Sequence, residues 1–100
     1  MLRISIQENV EEVELKLEGR IAGLWVAELG RVWVETAPHL ASRKLVLDLS
    51  SVTYADAGGT QLLSEIYAQT CAELLAGTLW TQSLAEQITH GNVQTGSQEL

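Results

Sequence analysis

Leu2, Ile4 and Ile6 alternate with Arg3, Ser5 and Gln7. A period of two predicts a strand with one buried face. Glu8 and Asn9 then supply polar turn chemistry. Val10, Val13, Leu15 and Leu17 next alternate with Glu12, Glu14, Lys16 and Glu18. This predicts a second strand, closed by Gly19 and paired with the first as a hairpin. From Ala22 the period lengthens: Trp25, Leu29, Val32, Trp33 and Thr36 share one helical face. Two aromatic residues on that face, Trp25 and Trp33, are expected in the core. Pro38 is expected to stop the helix, because the residue before a proline is pushed out of the α region.

Lys44 to Leu49 is nearly continuous in apolar side chains, as in a strand covered on both faces. Ser50 to Gly59, rich in Ser, Asp and Gly, reads as a loop. A helix should follow, with Leu62, Leu63, Ile66 and Thr70 inward and Gln61, Ser64, Glu65 and Gln69 toward water. Its end falls near Gln69 to Cys71. Ala72 to Ala76 is read as a short strand, although a continuing helix fits its pattern nearly as well. Trp80, Leu84 and Ile88 recur every four residues, with Thr78 as a plausible N-cap. That predicts a last helix ending near Gly91 and a polar, frayed tail over residues 92–100.

The order is β-β-α-β-α-β-α, an α/β pattern over residues 2–91. It predicts a small mixed sheet with helices packed mainly on one face.

The chain has 100 residues, 46% hydrophobic and 19% charged, which is the composition of one globular domain. Its net charge of −7 repels phosphate backbones and anionic lipid, so nucleic acid and bare membrane are poor partners. Glu8, Glu11, Glu12, Glu14 and Glu18 concentrate acid on the hairpin, as a solvated surface or as a dock for a basic partner. Cys71 is the one cysteine, which fits a reducing compartment, and its small neighbours suggest a core residue. Met1-Leu2-Arg3 leads into an alternating strand and not an apolar leader, so a cytoplasmic location is expected.

Tools for catalysis are sparse. His39 and His90 have no Cys or carboxylate at metal-ligand spacing, and phosphate-binding and nucleophile-elbow motifs are missing. Asp48, flanked by Leu47 and Leu49, is read as a strand-end carboxylate that bonds backbone amides. No enzyme activity, metal or cofactor is expected. The informative stretch is Ser50 to Thr60. Gly58 and Gly59 let the backbone turn tightly and approach another surface, and Asp56 is placed to cap the next helix. The free N–H groups of that helix's first turn offer a place for an anion or a partner's carboxylate, although an ordinary strand-to-helix turn has the same pattern.

Leu45-Val46-Leu47-Asp48-Leu49-Ser50-Ser51-Val52-Thr53-Tyr54-Ala55-Asp56 resembles the central block of STAS domains. These are the anti-sigma factor antagonists and the cytoplasmic domains of sulfate transporters. Leu17-Glu18-Gly19-Arg20-Ile21 resembles the family's step after its second strand. The resemblance spans roughly residues 2–90 and is weakest in the C-terminal third. It implies a small sheet backed by helices and a protein-binding function in bacterial signalling and transcriptional regulation. In antagonist members the second small residue after the aspartate is a serine, phosphorylated by a partner kinase to abolish binding. Position by position, Asp56 matches the aspartate, Ala57 the first small residue, Gly58 the phosphoacceptor and Gly59 the glycine. Thr60 stands where an apolar residue is usual.

Gly58 has no hydroxyl, so it cannot take a phosphate; Thr60 is the nearest replacement. Docking of an anti-sigma factor or another signalling partner is then expected through Asp56, Ala57, Gly58, Gly59 and Thr60 and the helix after them. The resemblance also permits an accessory subunit of a membrane transport complex for lipid or anions. A third possibility is nucleotide or small-anion binding at the Gly58-Gly59 turn. Against it, no Lys or Arg follows Lys44. Three tryptophans in a small domain allow self-association as a homodimer if one is exposed.

Overall fold

The structure, a computed structural model, describes residues 1–97 and the side chains of residues 1–90. Seven elements follow in the order β1 (Leu2–Glu8), β2 (Glu12–Ile21), α1 (Leu24–Leu40), β3 (Lys44–Ala55), α2 (Ala57–Thr70), β4 (Glu73–Leu75) and α3 (Leu79–Ser97). The sheet order is β1-β2-β3-β4. β1 pairs antiparallel with β2, whereas β2 with β3 and β3 with β4 are parallel.

The topology explains why the helices share a face. α1 connects β2 to β3, and α2 connects β3 to β4. Both crossovers step the same way across the sheet, and such connections are nearly always right-handed, so both helices land on one side. Alternation then decides which residues they cover. Val13, Leu15 and Leu17 of β2 and Leu45, Leu47 and Leu49 of β3 form the buried stripe. Leu29 and Trp33 of α1, Leu63 and Ile66 of α2 and Leu84 and Ile88 of α3 close over it. The stripe fades at the edge strand, where Ile6 is 46% exposed. Val46 is buried but lies outside that cluster, on the opposite face. Its strand neighbours there are Glu14 and Glu73.

Several boundaries differ from the sequence reading. β2 does not end at Gly19 but passes through it to Ile21. Gly19 has φ 105, and a Cβ there would collide with the Met1 carbonyl, so glycine carries the strand past an irregular register. β3 is twice as long as the apolar run suggested. Ser50 to Ala55 continues as strand, not loop, because Ser51, Val52, Tyr54 and Ala55 still pair with β2. Pro38 does not stop α1, which runs on to Leu40. The proline sits in the last turn and deprives only Val34, which is 70% exposed and can leave its carbonyl to water. The Arg43 guanidinium donates to the His39 carbonyl and to the Leu40 carbonyl, capping the helix end.

Cys71 is exposed, not a core residue. It has φ 52 at the C-terminus of α2, and its N–H donates to the Tyr67 carbonyl at 2.7 Å. Ser64, expected to face water, is buried and donates its hydroxyl to the Thr60 carbonyl at 3.0 Å. Ala72–Ala76 is strand only over Glu73–Leu75, and α3 continues past Gly91 to Ser97. The expected tail therefore begins as helix; its last residues, 98–100, lie outside the described residues.

α3 starts on a reciprocal threonine pair. Thr78 Oγ1 accepts from the Thr81 amide at 3.0 Å, while Thr81 Oγ1 accepts from the Thr78 and Gly77 amides at 2.9 and 3.1 Å. Thr81 is fully buried. Thr81→Val should cost about 1–3 kcal/mol, because it strands two amides without a partner. Thr81→Ser keeps the hydroxyl and should lose less. Denaturant melts of both variants read the difference.

Candidate functional site

Asp56 lies between the end of β3 and the start of α2, and its carboxylate serves two segments at once. Oδ1 accepts from the Gly59 amide at 2.7 Å, an N-cap bond. Oδ2 accepts from the Gly23 amide at 3.1 Å, at the residue that starts α1. α1 has no capping side chain of its own. One carboxylate thus draws the N-termini of both helices together, where the positive ends of their dipoles favour it. The Asp56 amide donates to the Ile21 carbonyl at 3.1 Å, which ties the turn to the end of β2.

These bonds hold the Asp56 carboxyl below its ordinary pKa, first through the Gly59 amide and then through the Gly23 amide. A depressed folded-state pKa means stability that is present above the unfolded-state value and lost as pH falls through the folded one. Asp56→Asn should therefore melt lower than wild type near neutral pH. The gap should begin to narrow as the pH falls below the ordinary aspartate value of about 4, where the unfolded chain takes up its proton, and close once the folded carboxyl, held lower, is protonated as well. Thermal melts across the acid range check this, and a gap independent of pH would refute it.

The two glycines have different jobs. Gly59 is buried, and a Cβ on it would lie 2.5 Å from the Ile21 carbonyl oxygen and 2.8 Å from Ile21 Cγ2. It is glycine so that α2 can lie against the end of β2. Gly58 is exposed, and a Cβ there would meet Asp56 Oδ1 at 3.6 Å and Val26 Cγ1 at 3.9 Å, ordinary contacts. Ala57 is exposed as well, and Thr60 is half-buried. Of the five residues singled out in the sequence, Ala57 and Gly58 are outward. Thr60 faces a cleft, Asp56 holds the turn together and Gly59 packs inward.

That cleft has a volume of about 160 Å³ and is lined by Tyr54, Ala55, Thr60, Trp80, Ser83, Leu84 and Gln87. No lining residue carries a formal charge. Tyr54 is 40% exposed and Trp80 43%, with Leu79 beside it at 85%. The Arg20 guanidinium lies over the Tyr54 ring, 4.6 Å from its centre. Periodicity had placed Trp80 with Leu84 and Ile88 on the buried face, but the inward set is Thr81, Leu84 and Ile88. The Thr78-x-x-Thr81 spacing was the available signal, since a reciprocal cap turns its fourth residue toward the core. Trp25, also expected inside, is 37% exposed, while Trp33 is buried.

Asp48 accepts from the Ser50 amide at 3.0 Å and from the Ser50 hydroxyl at 2.6 Å, a local turn bond within β3. His39 Nδ1 lies 3.0 Å from the Glu35 carbonyl. Among the described residues no group of three or more His, Cys, Asp or Glu gathers as a metal site. No described helix is long and apolar enough to cross a membrane.

A scan against protein-family models finds no match, and neither does a search of curated proteins. Among solved structures, the chain is similar to an uncharacterized protein of the DUF3478 family with a SpoIIAA-like fold, from Shewanella loihica PV-4. The TM-score is 0.59 at 7% identity, covering 89% of this chain and 76% of the other. At that identity the likeness is one of fold alone. The architecture is SpoIIAA-like, which is the STAS fold, with a four-stranded mixed sheet and three helices.

Proposed function

We propose that the chain is a non-enzymatic protein-docking module of the anti-sigma-antagonist type. The observation that carries this reading is the surface beside the α2 N-terminus. There Tyr54, Leu79 and Trp80 are exposed around an uncharged cleft, next to the outward Ala57 and Gly58. Exposed aromatic residues grouped around a concavity are what protein interfaces use as anchors. The SpoIIAA-like fold supports the same assignment. Gly58 offers no hydroxyl, so binding here is either constant or controlled by something other than phosphate at that position.

Affinity capture from host extract tests it, with wild type compared to Gly58→Arg and Trp80→Gln. Both sites are exposed, and Gly58 has room for a side chain, so circular dichroism should match wild type. A specific protein captured by wild type and lost about tenfold or more from both variants is expected for an interface anchor. Equal capture by all three would sink this surface. The captured protein also separates a signalling partner from a transporter subunit.

A further inference from the structure

The two edges of the sheet are not alike. β4 is three residues long and carries an ion pair, Glu73 to Lys44. β1 is seven residues long, pairs with β2 without a bulge and contains no Pro or Lys. Short length, bulges, Pro and Lys are what keep an edge from pairing with another chain, and β1 uses none of them. Its two charges, Arg3 and Glu8, stand near its ends.

The direction of its free backbone groups follows from one bond. The Arg20 amide donates to the Met1 carbonyl at 3.0 Å, in line with the β1–β2 register. Hydrogen-bonded pairs alternate along an antiparallel ladder, so Arg3, Ser5 and Gln7 turn their amides and carbonyls to β2. Leu2, Ile4, Ile6 and Glu8 turn theirs outward. Ile4 and Ile6 also bring apolar side chains to this edge, and Ile6 is exposed beside a hollow of about 330 Å³ that Val13 and Thr36 help to line. The acids of that hollow are already paired, Glu8 with Arg43 and Glu35 with Arg31. Residues 1–44 hold seven acids and six bases, and residues 45–100 hold six acids and no base. Nearly all of the net charge of −7 therefore lies off β1 and β2, so two copies can meet at this edge with little repulsion.

We propose that β1 is a self-association edge, at which two copies of the chain pair β1 with β1, antiparallel, about a two-fold axis at Ser5. That register pairs the whole of Leu2–Glu8 with itself. Ile4 then stands opposite Ile6 of the second copy, beside the hollow. Arg3 stands opposite Gln7 of the second copy, whose neighbour on β2 is Glu14. Arg3 has no ion pair among the described residues, and the seam gives it an acid to face. Centring the pair on Ile4 instead would turn Arg3 toward Ser5 and its β2 neighbour Lys16. Centring it on Ile6 would set Ile4 against Glu8. Both alternatives lose a favourable cross-strand pair. No residue of the Tyr54–Trp80 cleft lies on β1, so this proposal is independent of the docking reading.

Sedimentation equilibrium of the full chain between about 0.01 and 1 mM should show the average mass rising from one chain toward two. Ile6→Lys places a charge on the edge at an exposed position, and should stay at one chain with the circular dichroism of the folded protein. The pairing also has a covalent signature. Ser5 would face Ser5 of the second copy with Cα atoms about 4.5 Å apart, within disulfide reach. In a Cys71→Ser background, Ser5→Cys should link two chains with oxidised glutathione at least about tenfold more than Gln7→Cys, whose thiols the register holds four residues apart. One-chain mass at every concentration would overturn the proposal. So would equal linkage through positions 5 and 7. A dimer that survives Ile6→Lys but is lost in Trp80→Gln would overturn it too, and would place self-association at the cleft.

Discussion

Gly59→Ala should destabilise the fold by about 1–3 kcal/mol, whereas Gly58→Ala, one residue earlier, should leave it unchanged or raise its stability by up to about 1 kcal/mol. The two sites share a helix turn and a residue type, so backbone propensity predicts the same sign for both. Packing separates them. The new methyl at 59 would stand 2.5 Å from the Ile21 carbonyl oxygen and 2.8 Å from Ile21 Cγ2, and neither atom is the free end of a flexible chain. Relief requires α2 to move away from β2. That motion stretches the Asp56 amide to Ile21 carbonyl bond of 3.1 Å and the Asp56–Gly59 cap of 2.7 Å. The damage therefore reaches the mouth of the cleft through Thr60. At position 58 the nearest atoms are 3.6 and 3.9 Å away, and a side chain points outward. Denaturant unfolding of both variants measures the pair. Equal and small effects would show that α2 is not held against Ile21.

The same geometry bears on Gly58 as a departure from the STAS pattern. Nothing near it excludes a serine, since the Cβ position is open. A side chain at position 58 would stand outward in the first turn of α2. Gly58→Ser should fold as stably as wild type in a thermal melt.

Much of the fold was legible because its signals are local. Strict alternation in β1 and β2 marks a hairpin with one wet face, and the Asp56 cap follows from its place before two glycines and an apolar run. What was missed depends on distant pairing. Ser50 to Ala55 has turn-forming residues, yet it is strand because β2 lies beside it and continues through Gly19. The Asp56–Gly23 bond joins residues remote in sequence, so nothing near Asp56 announces it. Trp80 was misplaced by one position in the helical repeat, because a large apolar residue outweighed a threonine in the pattern. That error hid the cleft, since the exposed tryptophan is what marks it. The Asp56–Thr60 turn was singled out from its residues, but which of them face outward is set by the approach of Ile21, a tertiary fact.

Leu47→Ala should cost about 2–5 kcal/mol, the largest loss expected at a single position here. Leu47 is fully buried at the centre of β3, between Leu15 on β2 and Leu74 on β4. Truncation there removes transfer energy and leaves a cavity that α2 and α3 can fill only by shifting. A domain of this size has only about 5–15 kcal/mol in total, so the variant should melt far lower. Val46→Ala is the control on the next residue. Val46 is also nearly inaccessible at 5%, but it points to the face without helices, beside Glu14 and Glu73. Water can occupy the space it leaves, so only the transfer term remains, about 1–2 kcal/mol. Urea midpoints with unchanged slopes give both values. If Val46→Ala cost as much as Leu47→Ala, the second face of the sheet would have to be covered in solution. A second copy of the chain would then be the first candidate, and sedimentation at two concentrations would identify it.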